Sequence, residues 1–324
     1  MQLAERTRLR PGGLAPILGI LAVLLVLLTI RQPDFLTPPS LMSFLGRSAP
    51  LILLAAGQYF VIVAGEFDLS VGSLVTAQVV VAARLIDSEP ARTWPVIALL
   101  LAFGAAVGLV NGLITTRLRV SSFITTLGMY LILVGAVYLW SDGAPKGGLS
   151  EEFRRFGRRA FEDVFLLGRL PYALLVLVAG AGLAVLLTRA DFGRTLVAVG
   201  GNPRTAELSG VRVSYAKTMA FVLSGLAAAV AAILIGGYSG VSFQAGAGLE
   251  FGAITAVVLG GVALGGGRGS VVGAMLGALT LETLFTLMNF SGVSGALRST
   301  VQGAIILLAV AVSALRSVPG KGIQ

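Results

Sequence analysis

Apolar residues recur along this chain in uninterrupted blocks of about 16 to 25, the length that crosses a bilayer core as a helix. Such blocks can only be helices, because hydrocarbon offers no water to pair free backbone N–H and C=O groups. The pattern predicts spans at 14–30, 48–64, 69–86, 94–116, 121–140, 171–188, 214–236, 250–265, 270–290 and 298–316. The expected fold is an all-α membrane protein, a polytopic bundle of about ten transmembrane helices. The second and eighth blocks are short enough to be broken or re-entrant, which leaves eight or nine as alternatives. Leu14–Ile30 reads as a retained first span, since it outruns a signal-peptide core and no small-residue cleavage site follows it.

Between the spans lie polar segments of three kinds. Residues 1–13 form a short basic tail, 141–170 a longer outer loop, and 189–213 an inner loop; the chain reads as one transmembrane domain over 1–324. In the outer loop Ser150 is placed to cap a helix whose first turn holds Glu151 and Glu152, with Phe153, Phe156 and Ala160 at helical spacing. Such a helix either lies on the outer membrane surface or forms a docking surface for an external protein. In the inner loop Asn202 is a good N-cap and Pro203 a good first-turn residue, and Gly210 stands where a left-handed stop is expected. A weak internal similarity relates Val107–Gly112 to Gly273–Gly277, and Asp68 opens the third span as Glu250 opens the eighth. An offset of five spans puts the halves in opposite senses, an inverted five-helix repeat with the solute path at its interface.

Composition narrows the chemistry. Of 324 residues 56% are hydrophobic and 12% charged, too few polar groups for a soluble surface of this length. Cys and His are both absent, which removes thiol chemistry, disulfides and the commonest metal ligand, so neither a cofactor nor a metal is expected. The net charge of +9 would hint at nucleic acid in a soluble protein. Here the charges sit between spans and set orientation. With the N-terminus inside, the 24 basic residues divide 13 inside to 11 outside and the 15 acidic ones 5 to 10, leaving +8 inside and +1 outside. Both termini are therefore expected in the cytoplasm, and membrane lipid rather than nucleic acid surrounds the chain.

Three segments carry candidate function. Ala64–Gly72 sets Glu66 and Asp68 between apolar runs, where an ionised carboxylate is costly unless it faces a partner, a cavity or water. Asp68 and Ser70 are equally natural N-caps for the third span, so a helix cap and a kink shaping the solute path both fit. The second segment is the punctuated helix after Asn202, a rigid knob on the basic side. The third is the run Gly265–Gly269, which lacks the Lys and the strand–helix context of a phosphate loop and reads as a tight inner turn. Gln58, Gln78, Asn111, Gln244, Glu282 and Asn289 are polar residues inside spans that either line a path or bond between helices.

Taken together, Gly65–Gly72, Val110–Gly112, Ser122–Gly128, Phe192–Arg194, Gly200–Pro203, Leu223–Gly225 and Gly260–Gly269 resemble, in order, the motifs of ribose-type sugar permeases of ABC importers. The resemblance covers about residues 15–315. Glu66-Phe67 departs from the Gly-Ile usual there and adds an acid beside Asp68. What the resemblance implies is a membrane-spanning subunit that moves a monosaccharide or similar small polar solute inward by alternating access across a bacterial inner membrane. It implies a second permease subunit, identical or related, a periplasmic or lipid-anchored sugar-binding protein outside, and an ABC ATPase inside that performs the hydrolysis. On that basis Gly201, Asn202, Pro203, Arg204, Glu207, Leu208 and Gly210 are the expected ATPase-coupling surface. Glu66, Asp68, Ser70, Asn111, Phe123 and Glu250 are the expected path or gate. Two competing readings stay open. One is an ABC permease for branched-chain amino acids or an autoinducer. The other is an ion-coupled secondary transporter, for which Glu282 is the best acid available. An intramembrane enzyme is disfavoured, as no nucleophile–base pair is visible.

Overall fold

The computed structural model describes residues 14–144, 146–164 and 168–317; the basic tail 1–13 and the last seven residues lie outside them. Thirteen α-helices follow one another among the described residues: α1 (Ala15–Arg31), α2 (Pro38–Val63), α3 (Val71–Ile86), α4 (Thr93–Arg117), α5 (Ser122–Ser141), α6 (Glu151–Arg158), α7 (Tyr172–Arg189), α8 (Asp191–Gly201), α9 (Pro203–Leu208), α10 (Val213–Ser239), α11 (Leu249–Leu259), α12 (Val271–Phe290) and α13 (Gly295–Ser317). A two-stranded antiparallel hairpin, β1 (Ala160–Val164) and β2 (Gly168–Pro171), joins α6 to α7. Six helices, α2, α4, α5, α7, α10 and α12, are long and apolar enough to cross a membrane, and α1, α3, α11 and the Gly295–Leu308 part of α13 are shorter apolar helices. The chain is a multi-pass helical membrane protein.

Two helices make the centre. Of the apolar window of α2, 89% is buried, and of α10, 61%, against 17% for α7 and 28% for α5. Around this pair, α4 and α3 pack on α10, and α12, α11 and α7 pack on α2. The outer helices turn apolar side chains outward, such as Ile30, Leu139, Val178 and Leu186. Hydrocarbon is as favourable a surround for those side chains as another helix. Close backbone approach therefore has to come from small residues. Along α4, Gly104, Gly108 and Gly112 recur one turn apart and press on α10, so that a Cβ on Gly108 would overlap the backbone of Phe221 and Val222.

The sequence reading of α2 begins ten residues late, at 48 instead of 38, because Arg47 interrupts the apolar run. The helix runs unbroken through Pro50, and Ser48 turns its hydroxyl back onto the Phe44 carbonyl at 2.9 Å. α11 is shorter than expected. It stops at Leu259, where Gly261 takes φ +81 and begins a folded turn that reaches Ser270.

On one side of the bundle α6 is capped as expected, Ser150 Oγ accepting from Phe153 N at 3.2 Å. It ends at Arg158, and Ala160, expected on the same helix, pairs in the hairpin instead. α6 does not stand free: Phe153 is wholly buried and Gly157 lies against the backbone of Gly237 and Tyr238 at the end of α10. On the opposite side the segment 189–213 holds two helices, α9 as expected and α8, which was not expected. Leu196 and Val199 anchor α8, and Gly200 fits against Val63 and Gly267. Gly267 N also donates to Val63 O at 2.8 Å, so the ends of α2, α8 and the 260–270 turn are locked together.

Candidate functional site

The elbow between α2 and α3, residues 64–70, is held from three helices. Phe67 N donates to Ser122 Oγ and Leu69 N to Thr126 Oγ1, each at 3.1 Å, both from the first turns of α5. The Gln58 amide of α2 lies against the Asp68 backbone; with its nitrogen toward the carbonyl it donates to Asp68 O at 3.3 Å and accepts from Asp68 N at 3.2 Å. Every one of these bonds satisfies a backbone group that the broken helix would otherwise leave unpaired.

The Asp68 carboxylate is buried at the centre of this elbow. Oδ1 accepts from Ser70 N at 3.0 Å and from Ser70 Oγ at 2.6 Å, and Oδ2 accepts from Ser224 Oγ of α10 at 2.8 Å. Ser70 Oγ in turn accepts from Asn111 Nδ2 of α4 at 2.9 Å. Asp68, Ser70, Asn111 and Ser224 are each 1% exposed or less. The node therefore joins the elbow to α4 and α10 through hydrogen bonds alone, three donors on one carboxylate. Ser70 occupies the N-cap position of α3 as expected but makes no side-chain cap: its proton goes to Asp68 and its oxygen accepts from Asn111.

Glu66 departs from this node. Its Oε1 pairs with Lys217 Nζ, in the second turn of α10, at 2.5 Å, with side chains only 15% and 16% exposed. Glu250 is buried in the first turn of α11 and lies against Gly72, where a side chain on that glycine would overlap its Oε2. Phe123 is not brought in; it is 53% exposed on α5. Of the six residues expected on a path or gate, the structure thus gathers three, pairs Glu66 at the elbow's edge, sets Glu250 against the first turn of α3, and leaves Phe123 facing out. Sequence reasoning gave Gln58 no specific partner, named Ser224 only within the Leu223–Gly225 motif and gave Lys217 no role; the last two meet the elbow from more than 150 residues away.

The other intramembrane polar residues divide as follows. Gln78 bonds across to the Leu100 carbonyl at 3.1 Å, a helix–helix link, whereas Gln244 and Asn289 are exposed. Glu282 lines a cavity of about 240 Å3 together with Arg47, Tyr238 and Ser239.

The second candidate site is α9. Asn202 caps it, its Oδ1 accepting from Thr205 N at 3.0 Å, and Gly210 at φ +85 ends it, both as the sequence predicts. Ala206 alone is buried; Gly201, Asn202, Pro203, Arg204, Thr205, Glu207 and Gly210 are all exposed. Leu208 is 82% exposed. This six-residue helix is thus fixed at both ends and holds an apolar side chain in the open.

Residues 40–310 match the family described as branched-chain amino acid transport system / permease component. The chain is 37% identical over 302 residues to the ribose import permease protein RbsC of Bacillus subtilis, covering 92% of this chain and 91% of that one. It is 36% identical over 328 residues to the galactose/methyl galactoside import permease protein MglC of Escherichia coli K12, 96% of each. It is 34% identical over 297 residues to the L-arabinose ABC transporter permease protein AraH of Azospirillum brasilense, 90% of this chain and 86% of that one. No solved structure matches.

Proposed function

This chain belongs to the family of branched-chain amino acid transport system permease components, and from that membership we propose that it is the membrane-spanning subunit of an ABC importer for a monosaccharide. The family description names amino acids, so amino-acid import is the competing reading. Sugar is favoured because relatives matched over nearly the whole chain are named for ribose, galactose and arabinose.

The observation that carries the ATP-driven part is α9, clamped at Asn202 and Gly210 with Leu208 bare. An ATPase docked there pushes a rigid lever. Its motion passes through the short link 209–212 into α10, which holds Lys217 and Ser224 against the elbow. Glu66, Asp68, Ser70 and Asn111 then form the joint about which α3 rocks, with Glu250 and Phe123 at its margins. Alternating access of this kind needs an ATPase inside, a sugar-binding protein outside and a second permease subunit, identical or related.

The ten apolar helices, α1 to α5, α7 and α10 to α13, are assigned as ten spans, with both termini in the cytoplasm of a bacterial inner membrane and 141–170 in the periplasm. An inverted five-span repeat is supported by the packing. α4 lies on α10 as α12 lies on α2, α3 on α10 as α11 on α2, and α3 beside α5 as α11 beside α13. Co-purification with the neighbouring gene products from mild detergent tests the assignment. A stoichiometric ATPase is expected, and its loss on Arg204→Ala/Glu207→Ala locates the contact; no ATPase in any detergent would overturn the reading.

A further inference from the structure

We propose that the cleft between α3, α5 and the segment leading into α11 is where the chain itself contacts the sugar in transit, a proposal that rests on the import reading above. The cleft holds about 150 Å3 and is lined by Gly72, Ser73 and Thr76 of α3, Tyr130 and Tyr138 of α5, and Phe243. A cavity of roughly this volume takes one six-membered ring.

Its polar groups are already oriented by the fold. Ser73 Oγ donates its proton to Ser70 O at 2.9 Å, so only its lone pairs remain, and it can only accept. Thr76 Oγ1 accepts from Gly246 N at 3.0 Å, and its own proton has no acceptor among the described residues, so it is free to donate. The two stand one helical turn apart, about 5–6 Å between Cβ atoms. One fixed acceptor and one free donor at that separation fit two hydroxyls of one sugar ring. Both side chains are more than nine-tenths buried. A third acceptor lies behind the floor, where Glu250 Oε2 is buried against Gly72 with no hydrogen-bond partner.

The opposite wall is aromatic. Tyr138 and Phe243 lie with ring centroids 4.7 Å apart and planes 33° apart, and Tyr130 stands two turns before Tyr138 on the same helix. A monosaccharide has a polar rim and apolar C–H faces, and this wall takes a C–H face while the hydroxyls of α3 take the rim. Apolar and aromatic lining with a few fixed polar groups is the usual make-up of a small-molecule site. Among the described residues no Lys or Arg lines the cleft, which suits an uncharged solute that a conduit must also release. Ser73 and Thr76 also follow directly on the Asp68–Ser70 joint, so rocking of α3 moves the donor and acceptor against the aromatic wall.

The test uses the assembled importer in proteoliposomes with labelled D-ribose, D-galactose and L-arabinose. Thr76→Val and Phe243→Ala are expected to cut uptake of the transported sugar about tenfold, a loss of roughly 1.4 kcal/mol. The chain contains no cysteine. Ser73→Cys therefore gives its sole thiol, whose alkylation by N-ethylmaleimide should slow several-fold under saturating sugar and not under sorbitol. This labelling decides the matter if the other variants misfold. Wild-type uptake with unchanged variants and unprotected Cys would overturn this site and leave the importer reading standing. Absence of ATP-driven uptake of all three sugars by the wild type would overturn both.

Discussion

Lys217 Nζ lies 2.5 Å from Glu66 Oε1, and this pair ties the elbow between α2 and α3 to the second turn of α10. Both groups are largely removed from solvent, so breaking the pair leaves a poorly hydrated charge, whereas replacing both removes the debt. Lys217→Met and Glu66→Gln should each destabilise the purified protein by roughly 1–3 kcal/mol, and the double variant by less than either single change implies. Thermal unfolding in detergent measures this; additive losses would mean that the two side chains do not interact in the folded chain.

Asp68 separates shape from charge. Asparagine at 68 keeps an acceptor for Ser70 N and Ser70 Oγ, and its amide donates to Ser224 Oγ, which turns to accept. Alanine at 68 strands the Ser224 hydroxyl and the Ser70 pair in a buried site. Asp68→Asn should therefore hold its melting temperature, while Asp68→Ala should lose about 1–3 kcal/mol for each stranded group. Equal losses in both variants would show that the negative charge itself is what the joint requires.

The seam between α4 and α10 sets a steric limit. Gly108→Leu drives a side chain into the Phe221–Val222 backbone, which cannot yield without separating the two helices. Overpacking of this kind costs typically about 1–3 kcal/mol, and more where the obstacle is backbone. Gly128→Leu on α5, where nothing lies within 4 Å, is the control and should be tolerated. Size-exclusion monodispersity and melting temperature report both, and an intact Gly108→Leu would contradict the packing.

Much of this was legible in the sequence because membrane helices announce themselves by run length. Nine of the ten expected blocks start within three residues of an observed helix, and Asn202–Pro203 and Gly210 gave α9 its limits. α2 is the exception, since Arg47 looks like a boundary, whereas the helix carries that side chain on an exposed position and continues through it. α8 was hidden by Gly193, Gly200 and Gly201, which read as loop until their close approach to Thr188, Val63 and Gly267 is seen. The Asp68 node was only half visible. Asp68, Ser70 and Asn111 stand out as polar residues in apolar runs, but Ser224 sits in an ordinary Ser-Gly pair whose meaning depends on a contact 156 residues away.

α9 makes a prediction about coupling that leaves the fold alone. Leu208 touches little of its own chain, so Leu208→Ser should change stability by no more than about 0.5 kcal/mol. Asn202→Ala should fray the helix at a cost of about 1 kcal/mol. Both should lower binding-protein-stimulated ATP hydrolysis of the assembled importer. Full stimulation in both variants would remove α9 from the coupling surface.

The most direct measurement is solute entry into proteoliposomes holding this chain and its co-purified partners, with ATP inside or outside and with the proton gradient collapsed or intact. An ABC permease takes up labelled sugar only when ATP reaches the face bearing α9 and the sugar-binding protein is on the other side, and collapse of the gradient changes nothing. Uptake that continues without ATP and stops when the gradient is collapsed would contradict this, and would turn attention to Glu282 as the coupling acid.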